Sequence, residues 1–262
     1  VKAVERRSST AKSAIGLRVA PMPQVRIAFI GVGGRGMGHL KLAAALAPDK
    51  ATITAVCDIR QERVDMALDF LKKEKKIKAA GYGGKEESWK EMLDRDDIDL
   101  VIVCTPWEDH APMSIGCMRA GKHVACEVPL AITLDECWDL VQASEETQRN
   151  CMMMENVCYG DEELWVLQMV KDGVFGTLTY GEAAYIHNLR NGLYNGYYDH
   201  WRIKHNIARD GNLYPTHGLG PVAQYMDINR GDAFDRRVSM SSKEASLSEG
   251  SYNLDKSHEY YA

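Results

Sequence analysis

The chain has 262 residues, and it lacks several features that would define a class of protein. No stretch reaches the apolar length of a transmembrane helix, and there are no internal repeats. The seven cysteines include no CxxC pair and no Cys/His spacing typical of zinc. The formal net charge is only −5, so neither nucleic acid nor a membrane is expected as a partner.

Familiar catalytic motifs are missing as well. The sequence has no G-x-S-x-G elbow, no Walker lysine and no HExxH, and no Asp/Glu spacing marks a glycosidase carboxylate pair. We expect no metal site. Cys57, Cys104 and Cys126 lie in or beside apolar runs, where a free cysteine behaves as a small hydrophobe. Buried reduced thiols are therefore expected, with a disulfide as the alternative.

A glycine cluster is the strongest positive signal. The apolar residues 27–30 run directly into G-x-G-x-x-G at Gly31, Gly33 and Gly36, and a helix-like segment follows at 39–46. Strand, tight turn and helix with these glycines are typical of dinucleotide binding. The free N–H groups and the dipole of such a helix N-terminus favour phosphate.

Apolar runs and amphipathic helices alternate through the first half of the chain. The runs are continuous, which predicts strands buried on both faces of a parallel, doubly wound sheet. We therefore assign residues 24–150 to an α/β, NAD-binding Rossmann domain, after a polar N-terminal arm at 1–23. The predicted strands cover residues 25–30, 52–57, 100–104, 123–126 and 151–155.

The pattern changes after residue 159. Strands are predicted at 177–187 and 234–240, with helices at 162–171 and 219–226 and a weakly patterned tail at 241–262. This supplies a small α+β substrate domain over residues 151–262 with few strands.

Two residues near the glycine loop are candidates for binding the cofactor directly. Asp58 ends the second predicted strand, 22 residues after Gly36, where an acid binds the ribose hydroxyls and disfavours a 2′-phosphate. This predicts NAD rather than NADP; the alternative is a helix cap. Arg35 could pair with the pyrophosphate, or it could be a solvated loop arginine.

Further candidates follow the other strands, because ligands of such sheets bind beyond the carboxyl ends of the strands. Trp107 could stack on the nicotinamide or the adenine, and His110 could bind polar groups or cap a helix. Glu127 and Glu155 are acids at positions where catalytic groups collect, with helix capping as the alternative.

The second half carries a dense set of polar rings. Tyr185 and His187 are two residues apart on a predicted strand and would face the same side. Arg202, Tyr214 and His217 follow in predicted loops. A phenol, an imidazole and a guanidinium suit a polyhydroxylated ligand and supply acid/base groups. Structural hydrogen bonding is the alternative for each residue taken singly.

The chain resembles the glucose–fructose oxidoreductase / inositol dehydrogenase family. This similarity rests on the first strand and glycine loop, on Cys57-Asp58, on Thr105-Pro106 and on E-x-P at 127–129. Most members have a lysine in E-x-P that assists proton transfer from a sugar hydroxyl. Val128 stands there in this chain, which is unlike a simple sugar dehydrogenase.

A narrower resemblance, to glycoside hydrolase family 109, covers about residues 24–242. Its motifs are GRG at 34–36, WEDH at 107–110, EVP at 127–129, MENVCYG at 154–160, YIH at 185–187, WRIKHN at 201–206, GNLYPTHGLGPV at 211–222 and MDINRGD at 226–232. It implies a second domain with a mostly antiparallel open sheet. The family's chain is longer and has a further substrate tyrosine beyond the aligned part, so we expect this second domain to be truncated.

The resemblance also implies site residues, which join those found from the sequence pattern. The predicted cofactor-binding residues are Gly31, Gly33, Gly34, Arg35, Gly36, Asp58, Thr105, Trp107, His110, Glu127, Val128 and Asn156. The predicted substrate-binding residues are Tyr185, His187, Arg202, Tyr214, Pro215, Thr216 and His217.

The type activity of the resembled family is α-N-acetylgalactosaminidase, with tightly held and recycled NAD. The implied route is oxidation at C3 of the sugar, elimination, water addition and re-reduction. We expect Tyr185 or His217 as base, Tyr214 as partner, Arg202 as substrate clamp and Glu155 in an assisting role.

Two alternatives are a plain NAD-dependent sugar or cyclitol dehydrogenase, with His217 as base, and a non-catalytic NAD-binding protein. The resemblance also implies a homo-oligomer that acts on a free or glycan-terminal sugar. The compartment stays open between export, with the signal removed, and the cytoplasm.

Overall fold

The computed structural model of the protein describes residues 10–209 and 212–243. The chain divides into two compact units, Val1–Met154 and Glu155–Ala262. The first nine residues of the predicted arm and residues 244–262 of the predicted tail lie outside the described residues. Within the described ranges, no helix is both long and apolar enough to cross a membrane.

A six-stranded parallel sheet organises the first unit, in the order β3-β2-β1-β4-β5-β6. The strand order reverses between β1 and β4, which is where doubly wound sheets open a crevice for a ligand. The predicted parallel Rossmann-type sheet is confirmed. Its strands are β1 (Val25–Ile30), β2 (Ala51–Asp58), β3 (Ala80–Gly83), β4 (Leu100–Val103), β5 (His123–Cys126) and β6 (Cys151–Met153).

Helices cover the two faces of this sheet. Along β1, Ala28 and Ile30 join one buried apolar cluster, while Ile27 and Phe29 join another. This division follows the alternation of side chains along a strand, and it explains why the strands read as continuous apolar runs. The helices are α1 (Gly34–Ala44), α2 (Gln61–Glu74), α3 (Ser88–Leu93), α4 (Trp107–Arg119) and α5 (Leu134–Thr147).

Strand β3 was missed by the sequence analysis because its sequence, AGYG, has little β propensity. It pairs in parallel with β2, which places it at the edge of the sheet. A Cβ at Gly81 would lie 2.7 Å from a methyl carbon of Leu68, and one at Gly83 would lie 2.9 Å from Val64, both on α2. The close approach of α2 therefore accounts for glycines in this strand.

The second unit is mostly helical in its described part. The predicted strands at 177–187 and 234–240 have no strand pairing there, so the mostly antiparallel sheet predicted for this part is wrong. A strand needs a neighbour to bond its N–H and C=O groups, and residues 155–209 and 212–243 supply none. The helices are α6 (Asp161–Lys171), α7 (Arg190–Asn195), α8 (Trp201–Ala208) and α9 (Thr216–Tyr225), with 3₁₀ turns at Asn156–Cys158 and Tyr198–His200.

Candidate functional site

The glycine loop joins β1 to α1 and is built so that only glycine fits at two of its positions. Gly31 has φ +84°, and a Cβ on it would lie 2.7 Å from the carbonyl oxygen of Cys104. A Cβ on Gly36 would overlap the carbonyl oxygen of Gly31. At Gly33 and Gly34, by contrast, a Cβ would meet nothing within 4 Å, so this side of the loop is open to a ligand.

The start of α1 offers hydrogen-bond donors beside this open space. Gly33 is the N-cap residue and supplies no side-chain cap. The first hydrogen bond of the helix runs from the amide of Met37 to the carbonyl of Gly33 at 2.9 Å. The amides of Gly34, Arg35 and Gly36 precede it and have no acceptor within the helix. Donors at a helix N-terminus suit an anion such as pyrophosphate.

Asp58 ends β2 and is held by two backbone amides. Its Oδ2 accepts from Val32 N at 2.9 Å, and its Oδ1 accepts from Arg60 N at 3.0 Å. Helix α2 begins at Gln61 with Arg60 as N-cap, so Asp58 is not the N-cap residue itself. Each carboxylate oxygen can accept a second hydrogen bond, which leaves acceptor capacity for a ribose hydroxyl.

Glu127 follows β5 and reaches α1. Its Oε1 lies 2.6 Å from His39 Nε2 and 3.5 Å from Arg35 Nε, and its Oε2 accepts from Val128 N at 3.1 Å. Burial opposes ionisation of this carboxyl. The contacts with His39, the Val128 amide and Arg35 outweigh burial, and they hold the pKa of Glu127 below its ordinary value. Glu127 is therefore a charged acceptor beside the glycine loop. Val128 itself is 3% exposed.

The segment after β4 is less accessible than predicted. Trp107 opens α4 and is 4% exposed, which leaves little ring face for stacking on a cofactor. His110 is 1% exposed, and its ring nitrogens lie 2.7 Å from the Pro129 carbonyl and 2.8 Å from the Thr105 carbonyl. It therefore links the ends of β4 and β5. The buried Thr105 Oγ1 has no hydrogen-bond partner among the described residues.

In the second unit, Glu155 and His217 form a close pair. Glu155 is 2% exposed, and its Oε1 accepts from Val157 N at 3.1 Å and lies 2.5 Å from His217 Nδ1. The bond to Val157 caps the 3₁₀ turn, so the capping alternative for Glu155 is also realised. An ionised carboxylate can only accept, so Nδ1 of His217 donates to it. A neutral ring then presents Nε2 as a base. Oε2 of Glu155 has no partner within the described chain.

Two tyrosine rings, those of Tyr185 and Tyr214, lie beside His217. The Tyr185 ring centroid lies 4.4 Å from that of His187, 5.1 Å from that of Tyr214 and 5.0 Å from that of His217. The Tyr214 and His217 centroids are 4.7 Å apart. Arg202 Cζ lies 5.0 Å from the Tyr214 centroid. The structure thus brings together the predicted catalytic residues of this unit and the predicted clamp.

These side chains come from three local structures. Tyr185 and His187 lie on the irregular segment before α7, whereas Arg202 lies on α8 and not in the loop predicted for it. Tyr214 precedes α9, and its amide donates to Asn212 Oδ1 at 3.1 Å. His217 lies in the first turn of α9.

The remaining predicted residues differ in accessibility. Pro215 is the N-cap residue of α9 and is exposed, whereas Thr216 is half-buried with an Oγ1 that has no partner among the described residues. Asn156, predicted to bind the cofactor, opens the 3₁₀ turn of the second unit and is exposed.

Sequence reasoning missed two residues that contact the predicted ones. His39 is four residues after Arg35, so helical spacing could have placed it on the same side of α1. Tyr197 Oη accepts from Arg202 Nη1 at 2.6 Å, and Arg202 Cζ lies 5.2 Å from the Tyr197 centroid. No sequence signal separates Tyr197 from the other tyrosines of its loop.

The cysteines behave as expected for small apolar side chains. Cys57 and Cys126 are buried, Cys104 is half-buried, and all three are free thiols. Burial, assisted by the charges of Asp58 and Glu91, raises the pKa of Cys57 to about 12. Within the described ranges, no three His, Cys, Asp or Glu side chains are grouped as metal ligands.

Comparison with known families agrees with this geometry. Residues 25–155 match the oxidoreductase family with an NAD-binding Rossmann fold, which makes the first unit a dinucleotide-binding domain. Residues 159–260 match the C-terminal domain of glycosyl hydrolase 109. The chain belongs to glycoside hydrolase family 109. The resemblance drawn from the sequence motifs is confirmed.

Two curated relatives are similar over most of this chain. One is an alpha-N-acetylgalactosaminidase from Shewanella oneidensis, 53% identical over 90% of this chain and 51% of its own length. The other is a glycosyl hydrolase family 109 protein from Shewanella pealeana, 52% identical over 92% of this chain and 53% of its own. The chain thus spans about half the length of these relatives.

Solved structures show the same fold at lower identity. The WlbA dehydrogenase from Chromobacterium violaceum, in complex with NADH and UDP-GlcNAcA, is 25% identical with a TM-score of 0.52, over 61% of this chain and 44% of that one. An NAD binding oxidoreductase from Klebsiella pneumoniae is 22% identical with a TM-score of 0.62, over 78% of this chain and 54% of that one. The second likeness concerns the fold alone.

Proposed function

We propose that the protein hydrolyses α-N-acetylgalactosaminides or related glycosides, with an NAD that stays bound and is recycled within each turnover. The observation that carries this proposal is the contact between the buried Glu155 and His217, 2.5 Å apart, with the rings of Tyr185 and Tyr214 beside the imidazole. The identity of 53% to the Shewanella oneidensis alpha-N-acetylgalactosaminidase supports the substrate class.

The first unit has a set of groups that fits NAD. The open space over Gly33 and Gly34 and the donors at the start of α1 suit the pyrophosphate. Asp58 suits the ribose hydroxyls, and its charge disfavours a 2′-phosphate. Thr105 Oγ1, which has no partner among the described residues, can take a polar group of the dinucleotide. The chemistry that NAD would supply when bound is to accept a hydride from C3 of the sugar and later to give it back.

The acid and base groups come from the second unit. With Nδ1 held by Glu155, His217 presents Nε2 to remove the C2 proton, which a ketone at C3 makes acidic. Tyr185 is the other candidate for this base, since its ring lies beside His217. Tyr214 would assist proton transfer at the leaving group. After the C2 proton and the C1 substituent have left, water would add at C1 in place of that substituent, and a proton would return to C2.

Arg202 would orient the sugar. Its guanidinium lies over the Tyr214 ring and donates to the Tyr197 hydroxyl at 2.6 Å, which limits its rotation. A planar group with several donors suits the oxygens of a sugar ring or of an acetamido substituent. His187, Pro215 and Thr216 complete the proposed substrate-binding set.

Val128 favours a hydrolase over a plain dehydrogenase. A dehydrogenase of the wider family would use a lysine at this position to take the hydroxyl proton. The side chain here is apolar and 3% exposed, so it can neither give nor take a proton. The proposed proton transfers therefore fall to the second unit. We further propose that residues 24–150 serve NAD and that residues 151–262 serve the sugar, apart from Asn156, which is proposed to contact NAD. The homo-oligomer remains a prediction.

One assay separates the proposed function from its alternatives. The protein is incubated with an aryl α-N-acetylgalactosaminide and trace NAD⁺, and released aglycone and NADH are followed together. We expect aglycone release without net NADH. Net NADH formed from a free sugar would instead identify a dehydrogenase. Retention of NAD with neither product would identify a non-catalytic NAD-binding protein.

A further inference from the structure

Two side chains of α1, those of Arg35 and His39, contact the same carboxylate oxygen of Glu127. His39 Nε2 lies 2.6 Å from Glu127 Oε1, and Arg35 Nε lies 3.5 Å from the same oxygen. The two residues are four apart on the helix, so they lie on the same side of it. The His39 contact, at 2.6 Å, is a hydrogen bond, whereas the Arg35 contact, at 3.5 Å, is only a loose ion pair.

We propose that His39 is a positioning residue for NAD, which holds Glu127 so that Arg35 can turn to the pyrophosphate. The proposal rests on the NAD-binding role of the first unit and is independent of the glycosidase activity. His39 would not touch the cofactor. It would act on Arg35 through the carboxylate that they share.

The burial of Glu127 makes its hydrogen-bond partners important. Its side chain is 12% exposed, and a buried carboxylate without strong donors is costly. If Arg35 were its main partner, moving Arg35 to a ligand would leave Glu127 with the amide of Val128. The bond from His39 removes this penalty, because the carboxylate stays partnered when Arg35 leaves.

Arg35 is free to move and lies close to the proposed pyrophosphate position. Its side chain is 65% exposed, and Nε contacts Glu127 only loosely. Arg35 belongs to the turn of α1 whose amides precede the helical hydrogen bonds, beside the open space over Gly33 and Gly34. A pyrophosphate drawn to these amides would lie within reach of the guanidinium. Two N–H groups on a phosphate form a stronger contact than one on a shared carboxylate oxygen.

The test is a double-mutant cycle on NAD⁺ affinity, measured by titration calorimetry on the full chain. We expect Arg35→Ala to weaken binding roughly 10- to 100-fold, as for a lost charge-assisted hydrogen bond. His39→Leu should weaken it about tenfold, because Arg35 is then retained by Glu127. The double variant should bind no worse than Arg35→Ala alone. Lys41→Ala, which removes a cation from the last turn of α1, is the matched control and should change little.

A conservative variant separates positioning from packing. In His39→Gln, the side-chain amide can donate to Glu127 from nearly the same place as Nε2, so most of the affinity should return. His39→Asn is too short to reach and should resemble His39→Leu. If His39→Leu does not fold, comparing the NAD⁺ affinities of His39→Gln and His39→Asn tests the same proposal. Unfolding temperatures of all variants identify any general loss of structure.

Two results would overturn the proposal. Additive effects of His39→Leu and Arg35→Ala, or no recovery in His39→Gln, would show that His39 does not act through Arg35. In both cases the NAD-binding role would stand. A wild-type protein that binds no NAD⁺ would overturn this proposal and the cofactor assignment together.

Discussion

The two units of the chain differ in how their side chains are buried. In the first, most residues of β1 and β2 are buried, and Phe29 and Val56 are 0% exposed. In the second, α6 has no buried residue, and its Trp165 is 68% exposed. Yet both units contain closely paired polar groups, Glu127 with His39 and Glu155 with His217. The comparison shows that a well-formed polar site does not require an extensive apolar core around every element of its unit.

The largest expected effect is on catalysis, and it would separate the roles of the units. His217→Ala removes the proposed base and should lower kcat about 100- to 10,000-fold. NAD⁺ affinity should stay unchanged, because the groups proposed to hold NAD lie mainly in the first unit. The matched variant Asp58→Asn should weaken NAD⁺ binding about tenfold through a lost charged acceptor. Steady-state kinetics and calorimetry measure the two effects, and equal loss of NAD⁺ affinity in both variants would contradict the division of roles.

Removing a large aromatic ring should destabilise the protein much more in the first unit than in the second. Phe29→Ala empties a fully buried position and should lower the free energy of unfolding by about 3–5 kcal/mol. Trp165→Ala removes an exposed ring and should change it by roughly 0.5 kcal/mol or less. Urea denaturation measures both. A large loss for Trp165→Ala would mean that this face of α6 is covered in solution.

A smaller effect is expected at a helix start of the first unit. Thr133 Oγ1 accepts from Glu136 N at 3.2 Å, and the Glu136 carboxylate accepts from Thr133 N at 3.1 Å, which forms a capping box for α5. Thr133→Ala should cost about 1 kcal/mol of unfolding free energy. Thr133→Ser keeps the hydroxyl and is the control. If both variants lose the same stability, the cap does not contribute.

The smallest expected effect is a dependence of stability on pH. Burial, together with the charge of Arg149 and against that of Asp99, lowers the pKa of His123, whose Nδ1 accepts from Asn150 N at 3.0 Å. Burial also lowers the pKa of His110. The unfolded chain, with histidine pKa values near 6.5, then binds more protons than the folded one. Stability should be full above about pH 6.5 and should fall as the pH is lowered below it.

His123→Asn isolates one part of this acid sensitivity. The asparagine oxygen can accept from the Asn150 amide but does not titrate between pH 7 and pH 5. Denaturation at several pH values should therefore show a smaller loss in the variant than in the wild type. Parallel pH curves for the two proteins would exclude His123 as a source.

The first unit was predictable from sequence because its signals are local. Apolar runs, the glycine loop and Asp58 mark the strand ends without knowledge of distant contacts. Strand β3 was missed because two of its four residues are glycines, which have low strand propensity. These glycines are required by the close packing of α2 against the strand. For the second unit, the strand predicted at 177–187 was wrong because pairing depends on a neighbouring segment, which periodicity does not report.

The candidate site residues could be named from motifs in the sequence, and their roles stay predictions. Their contact partners could not be named from the sequence. The motif around Tyr214 and His217 pointed to a polar cluster, which the described structure brings together. The pairing of His39 with Glu127 joins positions 88 residues apart, and no local pattern records it. The burial of Trp107 could not be predicted either, because a tryptophan after a strand is equally consistent with stacking on a cofactor and with packing in the core.

The most direct test of the proposed function is hydrolysis in deuterium oxide. The protein would be given an α-N-acetylgalactosaminide, and C2 of the released sugar would be examined by NMR. Removal of the C2 proton by a base in exchange with solvent predicts deuterium at C2, with no net NADH. A released sugar with only protium at C2 would contradict the elimination route and the role given to His217.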